Sequence, residues 1–105
     1  MPSDSLPICA AEVIFRVVRG RWALSLMAVI AERGPIHFSA IGRSVPGISR
    51  KVLTDQLRFL ERSGVIIRST ADRRPQVFYE LTARGLELKK AIDGLNELAA
   101  RWSDI

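Results

Sequence analysis

The stretch GISRKVLTDQLRFLERSGVI, Gly47 to Ile66, reads as a helix with one dry side and one basic side. Leu53, Leu57 and Leu60 are spaced by four and three residues, so they share a helix face, while Arg50, Lys51 and Arg58 lie away from it. The spacing predicts a helix over about residues 50 to 62. Ser49 stands where a hydroxyl can accept a hydrogen bond from the first helical turn, and Ser63-Gly64 ends the run. Just upstream, PGIS at 46 to 49 bars continuation of an earlier helix and makes a turn. Before it lies the short run AIGRSV, weakened by Gly42, with Ser39 as its expected N-cap. Two helices joined by a tight glycine-containing turn make a helix-turn-helix candidate.

Downstream, VIIRST and QVFYEL are rich in β-formers, and ADRRP between them is polar and turn-forming. This predicts a two-stranded hairpin with a basic tip at Arg73 and Arg74. Thr82 then caps an expected last helix, about residues 83 to 102. On it Leu88, Ile92, Leu95, Ala99 and Trp102 step by four, three, four and three, the spacing of a seam that packs on another helix. Upstream, WALSLMAVIA is apolar almost all round and predicts a central helix over about 22 to 33, closed by RGP. IHF at 36 to 38 is expected to be a very short strand, with His37 a strand or phosphate-facing residue rather than a catalyst. Residues 8 to 18 predict a first helix with Cys9, Val13 and Val17 on one face, stopped at Gly20. Residues 1 to 7, with two prolines and Ser-Asp-Ser, read as a flexible arm, leaving 8 to 105 as a single domain.

Composition agrees with one small core: 105 residues, 48% hydrophobic and 26% charged, leave no room for a second. Charge is the unusual property. Sixteen Lys and Arg against eleven Asp and Glu give +5, which suits a polyanion such as nucleic acid or an anionic membrane surface. Most of the cations are Arg, whose planar fork matches phosphate and guanine edges. Cys9, the only cysteine, has no internal disulfide partner and no neighbouring ligands for a metal, which fits a reducing compartment. MPSDSLPICAAEV does not have the basic start and apolar run of a secretory signal, so a cytoplasmic location is expected. The apolar run from Trp22 to Ala31 is too short for the roughly 20 residues that span a bilayer. The sequence holds no nucleophile with a partner base, no phosphate-binding glycine loop and no ligand cluster, so neither an enzyme nor a bound cofactor or metal is expected.

Helix, helix, turn, helix, basic hairpin and long helix is the order of a winged helix-turn-helix, mainly α with a small β-hairpin wing. The residues also resemble a family. Cys9, the Trp of GRW thirteen positions later, GPIHFSAIGRSVPGISRKVLTDQLRFLERSGVI and PQVFYELTARG are similar in order and spacing to the HxlR-type branch of MarR-like transcription factors, over about residues 8 to 102. The resemblance implies a homodimer held by the first and last helices, with Val13, Val17, Leu88, Ile92, Leu95, Ala99 and Trp102 at the interface. It also implies double-stranded DNA as partner, with Ser39, Ser49, Arg50, Lys51, Thr54, Asp55 and Arg58 on the reading face and Arg73 and Arg74 on the wing.

The chain departs from the family pattern at four places. Arg50 replaces a frequent Pro, and Asp55 replaces a polar or basic residue; the latter is expected to take a cytosine amine or to hold Arg58 or Arg62. Phe59 and Phe78 stand where acidic residues are usual, and are expected either to pack locally or to form a patch for a ligand or partner. By resemblance Cys9 is a sensor of oxidants or electrophiles, or a small-molecule effector acts elsewhere. Read as a residue alone, it is a small buried hydrophobe. Two other readings keep the fold, a protein-interaction module and a non-specific DNA-binding protein, and both would show no sequence preference.

Overall fold

The computed structural model describes residues 10 to 70, 76 to 102 and 104. Its elements, in chain order, are α1 (Ala11–Val18), α2 (Ala23–Arg33), β1 (Ile36–His37), α3 (Phe38–Ser44), α4 (Arg50–Arg62), β2 (Ile66–Thr70), β3 (Val77–Leu81) and α5 (Ala83–Ala100). This is a winged helix-turn-helix: α3, the turn and α4 form the helix pair, and β2 and β3 form the wing.

Leu53, Leu57 and Leu60 are buried, as their spacing predicts, and close the core from the α4 side. Against them pack Leu26, Met27 and Ile30 of α2, Ile41 of α3, Tyr79 of β3 and Leu88 and Ile92 of α5. α2 is central, yet it is not covered all round: Leu24 is 45% exposed. At α1 the apolar residues lie largely outside the core. No residue of this helix is fully buried, and Val13, Ile14 and Phe15 all face solvent, with only Val17 and Val18 half-covered.

The sheet has three antiparallel strands in the order β1-β3-β2: the expected hairpin is joined by the short strand at Ile36–His37. β3 offers a second edge, and the two residues of β1 take it, Ile36 opposite Tyr79 and His37 opposite Phe78. The hairpin itself pairs Ile66 with Leu81 through Thr70 with Val77.

α5 begins hard against the end of α4. Gly64 sits at φ +80°, a left-handed conformation that favours glycine, and turns the chain into the wing. The Thr82 hydroxyl donates to the Gly64 carbonyl at 2.6 Å and accepts the Gly85 N–H at 3.0 Å, while the Thr82 N–H donates to the Val65 carbonyl at 3.0 Å. Thr82 is thus the N-cap that the sequence predicts, and it also ties the two helices together. The expected seam on α5 divides. Leu88 and Ile92 are core residues of their own chain, 6% and 8% exposed, so they are not a free interface. The remainder, Leu95, Ala99 and Trp102, lies beyond the reach of the domain and is exposed.

Candidate nucleic-acid interface

Between α3 and α4 the chain reverses over Val45 to Ser49, with Gly47 at φ +86°. Ser49 caps α4, its Oγ accepting the Val52 N–H at 3.1 Å. With the leucines turned inward, Arg50, Lys51, Asp55 and Arg58 are exposed on α4 and Thr54 is half-buried beside them. The sequence reading of this helix holds at both ends and on both faces.

Ser39 is placed differently. The N-cap of α3 is His37, whose Nδ1 accepts the Ser39 N–H at 3.2 Å. Pairing of His37 with Phe78 keeps it extended, and Phe38, expected to be strand, is already helical. The Ser39 hydroxyl lies 2.9 Å from the same nitrogen. Nδ1 therefore acts as acceptor, which puts the ring proton on Nε2. Ser39 itself is exposed in the first turn of α3.

Asp55 also has a different partner from the one expected. Its carboxylate accepts from Lys51 Nζ at 2.8 Å, one turn away, rather than from Arg58 or Arg62. That hydrogen bond and the Lys51 charge hold the Asp55 carboxyl below the usual carboxylate range, with Arg58 and Arg62 adding at longer range. An exposed i,i+4 pair of this kind adds little to stability. What it changes is the charge that the face presents.

Arg50 leans the other way, its guanidinium carbon 5.9 Å from the centre of the Phe38 ring. The two residues border a cleft of about 340 Å³ between α3 and α4, lined also by Ser39, Gly42, Arg43, Ile48 and Leu53. Arg43 on this rim was not among the residues singled out from the sequence. Its spacing of four from Ser39 places both on one side of α3, and that signal was available.

The two phenylalanines pack locally. Phe78 meets the His37 ring edge-on, centres 5.5 Å apart at 76°. Phe59 is half-buried against the core edge. On the wing, Arg68 of β2 lies 3.9 Å from Glu61 of α4, linking the hairpin to that helix. Arg73, Arg74 and Cys9 fall outside the described residues. Among the described residues no three His, Cys, Asp or Glu side chains gather as a metal set, and no helix is long and apolar enough to cross a membrane.

Known proteins carry the same arrangement. Residues 17–105 match the family model of the HxlR-like helix-turn-helix. An uncharacterised HTH-type transcriptional regulator of Methanothermobacter thermautotrophicus is 36% identical over 95 residues, covering 90% of this chain and 72% of the relative. A MarR-family transcriptional regulator from Enterococcus faecalis V583 superposes with a TM-score of 0.87 at 27% identity, covering 98% of this chain and 94% of that one. The redox regulator HypR in its oxidised form superposes with a TM-score of 0.77 at 30% identity, over 89% of this chain and 96% of that one. With the family model matched over residues 17–105 and the Methanothermobacter relative covered to 72% of its length, the chain belongs to the HxlR-like helix-turn-helix family of transcriptional regulators.

Proposed function

We propose that this regulator binds, as a homodimer, a specific DNA operator made of two inverted half-sites. The observation that carries the reading is α4: three buried leucines fix its back, Ser49 caps its start, and Arg50, Lys51, Thr54 and Arg58 are offered outward from its first two and a half turns. Side chains at that end of a recognition helix reach base edges, and the N-terminal N–H groups favour phosphate. Ser39 and Ser49 lie beside them, and Arg73 and Arg74, which fall between β2 and β3 in sequence, are the cations assigned to the wing contact. Exposed apolar residues at both ends of the chain, Val13 on α1 and Leu95, Ala99 and Trp102 around the end of α5, support a two-fold partner. Selection of bound duplexes from a random pool tests the reading. The expected outcome is an enriched inverted repeat with half-sites roughly 10 bp apart, or a multiple of that. Equal affinity for selected and random DNA at physiological salt would show a non-specific coater instead.

The finer part of the proposal concerns Cys9. Similarity to a redox regulator supports a thiol that loosens DNA binding when oxidised or alkylated. With one thiol per chain, the products are a mixed disulfide, an adduct, a sulfenic acid or a bridge between subunits. Diamide or a quinone is expected to weaken DNA binding by the wild type and not by Cys9→Ser. Full affinity in wild-type protein whose Cys9 is shown by mass spectrometry to be modified would remove the thiol from the mechanism.

A further inference from the structure

The turn between α1 and α2, Arg19-Gly20-Arg21-Trp22, carries two exposed arginines that the helix-turn-helix and wing do not account for. It lies against α4 at one point and against the bend before α4 at another. A Cβ on Gly20 would stand 3.7 Å from the Gln56 side chain, and one on Gly47 would stand 3.8 Å from the Trp22 ring. The turn therefore flanks both the middle of α4 and the bend that introduces it. Between them runs a cleft of about 320 Å³ lined by Arg16, Val17, Arg19, Gly20, Gln56 and Phe59. Trp22 is half-buried against the core, and the Arg21 guanidinium lies 4.6 Å over its ring. This cation–π contact rests Arg21 on the indole while leaving N–H groups directed away from the ring able to donate. Neither Arg19 nor Arg21 takes part in an ion pair among the described residues.

At 100° per residue the leucine face of α4 separates two flanks. Arg50 and Thr54 occupy the one beside α3; Val52, Gln56 and Phe59 occupy the other, beside the α1–α2 turn. A major groove about 12 Å wide holds a helix about 10 Å across, so a phosphate strand runs along each flank. On the α3 flank, Ser39 and Arg43 border the cleft beside Arg50 and are at hand for one strand. On the opposite flank the cations at hand come from the α1–α2 turn and its approach.

We propose that Arg19 and Arg21 form a second backbone-binding site that grips the phosphate strand on the far side of the major groove from α3. The ligand is the phosphodiester backbone of duplex DNA, contacted without regard to sequence. This rests on the DNA-binding reading above and adds to it an element outside the helix-turn-helix and wing.

The test measures affinity against salt for the wild type, Arg19→Ala/Arg21→Ala and the control Lys90→Ala, an exposed α5 residue, each on the selected operator and on a random duplex. The turn variant is expected to bind both duplexes about tenfold more weakly, to leave their ratio unchanged, and to flatten the salt slope by roughly two units. Arg19→Lys/Arg21→Lys is expected to restore most of the slope. A slope equal to that of the wild type, or a loss no larger than that of Lys90→Ala, would overturn the assignment. A second measurement needs no variant: DNA is expected to protect Arg19 and Arg21 of the wild type from phenylglyoxal, and equal modification with and without DNA would also overturn it. Wild-type protein that binds no duplex ends the DNA-binding reading itself. Wild type that binds while the variant keeps its slope ends only the role of the turn.

Discussion

Lys51 and Asp55 form an ion pair on the outward face of α4, Nζ to Oδ2 2.8 Å, so one of the cations of this helix is already matched by an anion of its own. Both side chains are more than half exposed. The pair therefore adds little to folding, and under the proposed function its effect is expected on DNA binding. Asp55→Asn is expected to raise affinity for random duplex several-fold and to steepen the salt slope by about one unit as Lys51 becomes free to displace a counterion. Because Lys51 holds the Asp55 carboxyl below the ordinary range, the charge is lost only as pH falls through that depressed value. The ratio of variant to wild-type affinity should accordingly stay level between about pH 5 and pH 8. Fluorescence anisotropy over a salt and pH series reads both. A salt slope unchanged by the substitution would show that Lys51 stays off the phosphates.

Arg50 and Lys51 should separate in their effects. Arg50 has no carboxylate partner among the described residues and rests near Phe38, from which it can swing to a base edge. Arg50→Ala is expected to cost about 1–3 kcal/mol on the selected operator and less on random DNA, so that the specificity ratio falls. Lys51→Ala should cost less, since its charge is shared with Asp55, and should weaken all sequences alike. Competition binding with single-base operator variants would locate the contact, and equal losses on operator and random duplex would assign Arg50 to the backbone instead.

Gly85 lets α5 start where it does. A Cβ there would overlap the carbonyl oxygen of Val65, a backbone group with no freedom to move aside, since the same carbonyl accepts the Thr82 N–H. Gly85→Ala is expected to destabilise the fold by about 1–3 kcal/mol or more, and Gly94→Ala on the same helix, where the Cβ meets nothing within 4 Å, to be neutral or stabilising. Thermal melts of the two variants compare them directly. Equal melting temperatures would mean that the α4–α5 junction relaxes without cost.

How much of this was legible in the chain depends on how local each feature is. Ser49, Leu53, Leu57, Leu60 and Gly64 define α4 through spacing and capping alone, and the structure agrees there residue by residue. His37 in place of Ser39 as the cap of α3 was not legible, because it follows from β1 pairing with β3, a contact between residues some forty positions apart. The Lys51 partner of Asp55 is legible from the i,i+4 rule, since the two residues stand one turn apart on α4. The stripe on α5 gave its period correctly and its partner only in part. Periodicity shows that Leu88, Ile92, Leu95, Ala99 and Trp102 share a face, and only the length of α5 beyond the core divides the buried pair from the exposed three.

That division makes the proposed dimer testable without disturbing the fold. Leu95 is 54% exposed and Trp102 52%, and on α1 Val13 is 58% exposed, so a two-fold partner would find apolar surface at both ends of the chain. Acidic residues at exposed positions cost the monomer fold little, typically within about 0.5 kcal/mol. Leu95→Glu with Ala99→Glu should therefore give folded monomers that hold a single half-site weakly and lose most of their affinity for the inverted repeat. Leu88→Ala, by contrast, removes a core side chain that is 6% exposed and should cost about 2–5 kcal/mol of stability whatever the oligomeric state. Light scattering and thermal melts on the same samples distinguish the two. Wild-type protein running as a monomer at micromolar concentration would count against the dimer. A double variant that stays dimeric would move the interface from the end of α5 to α1.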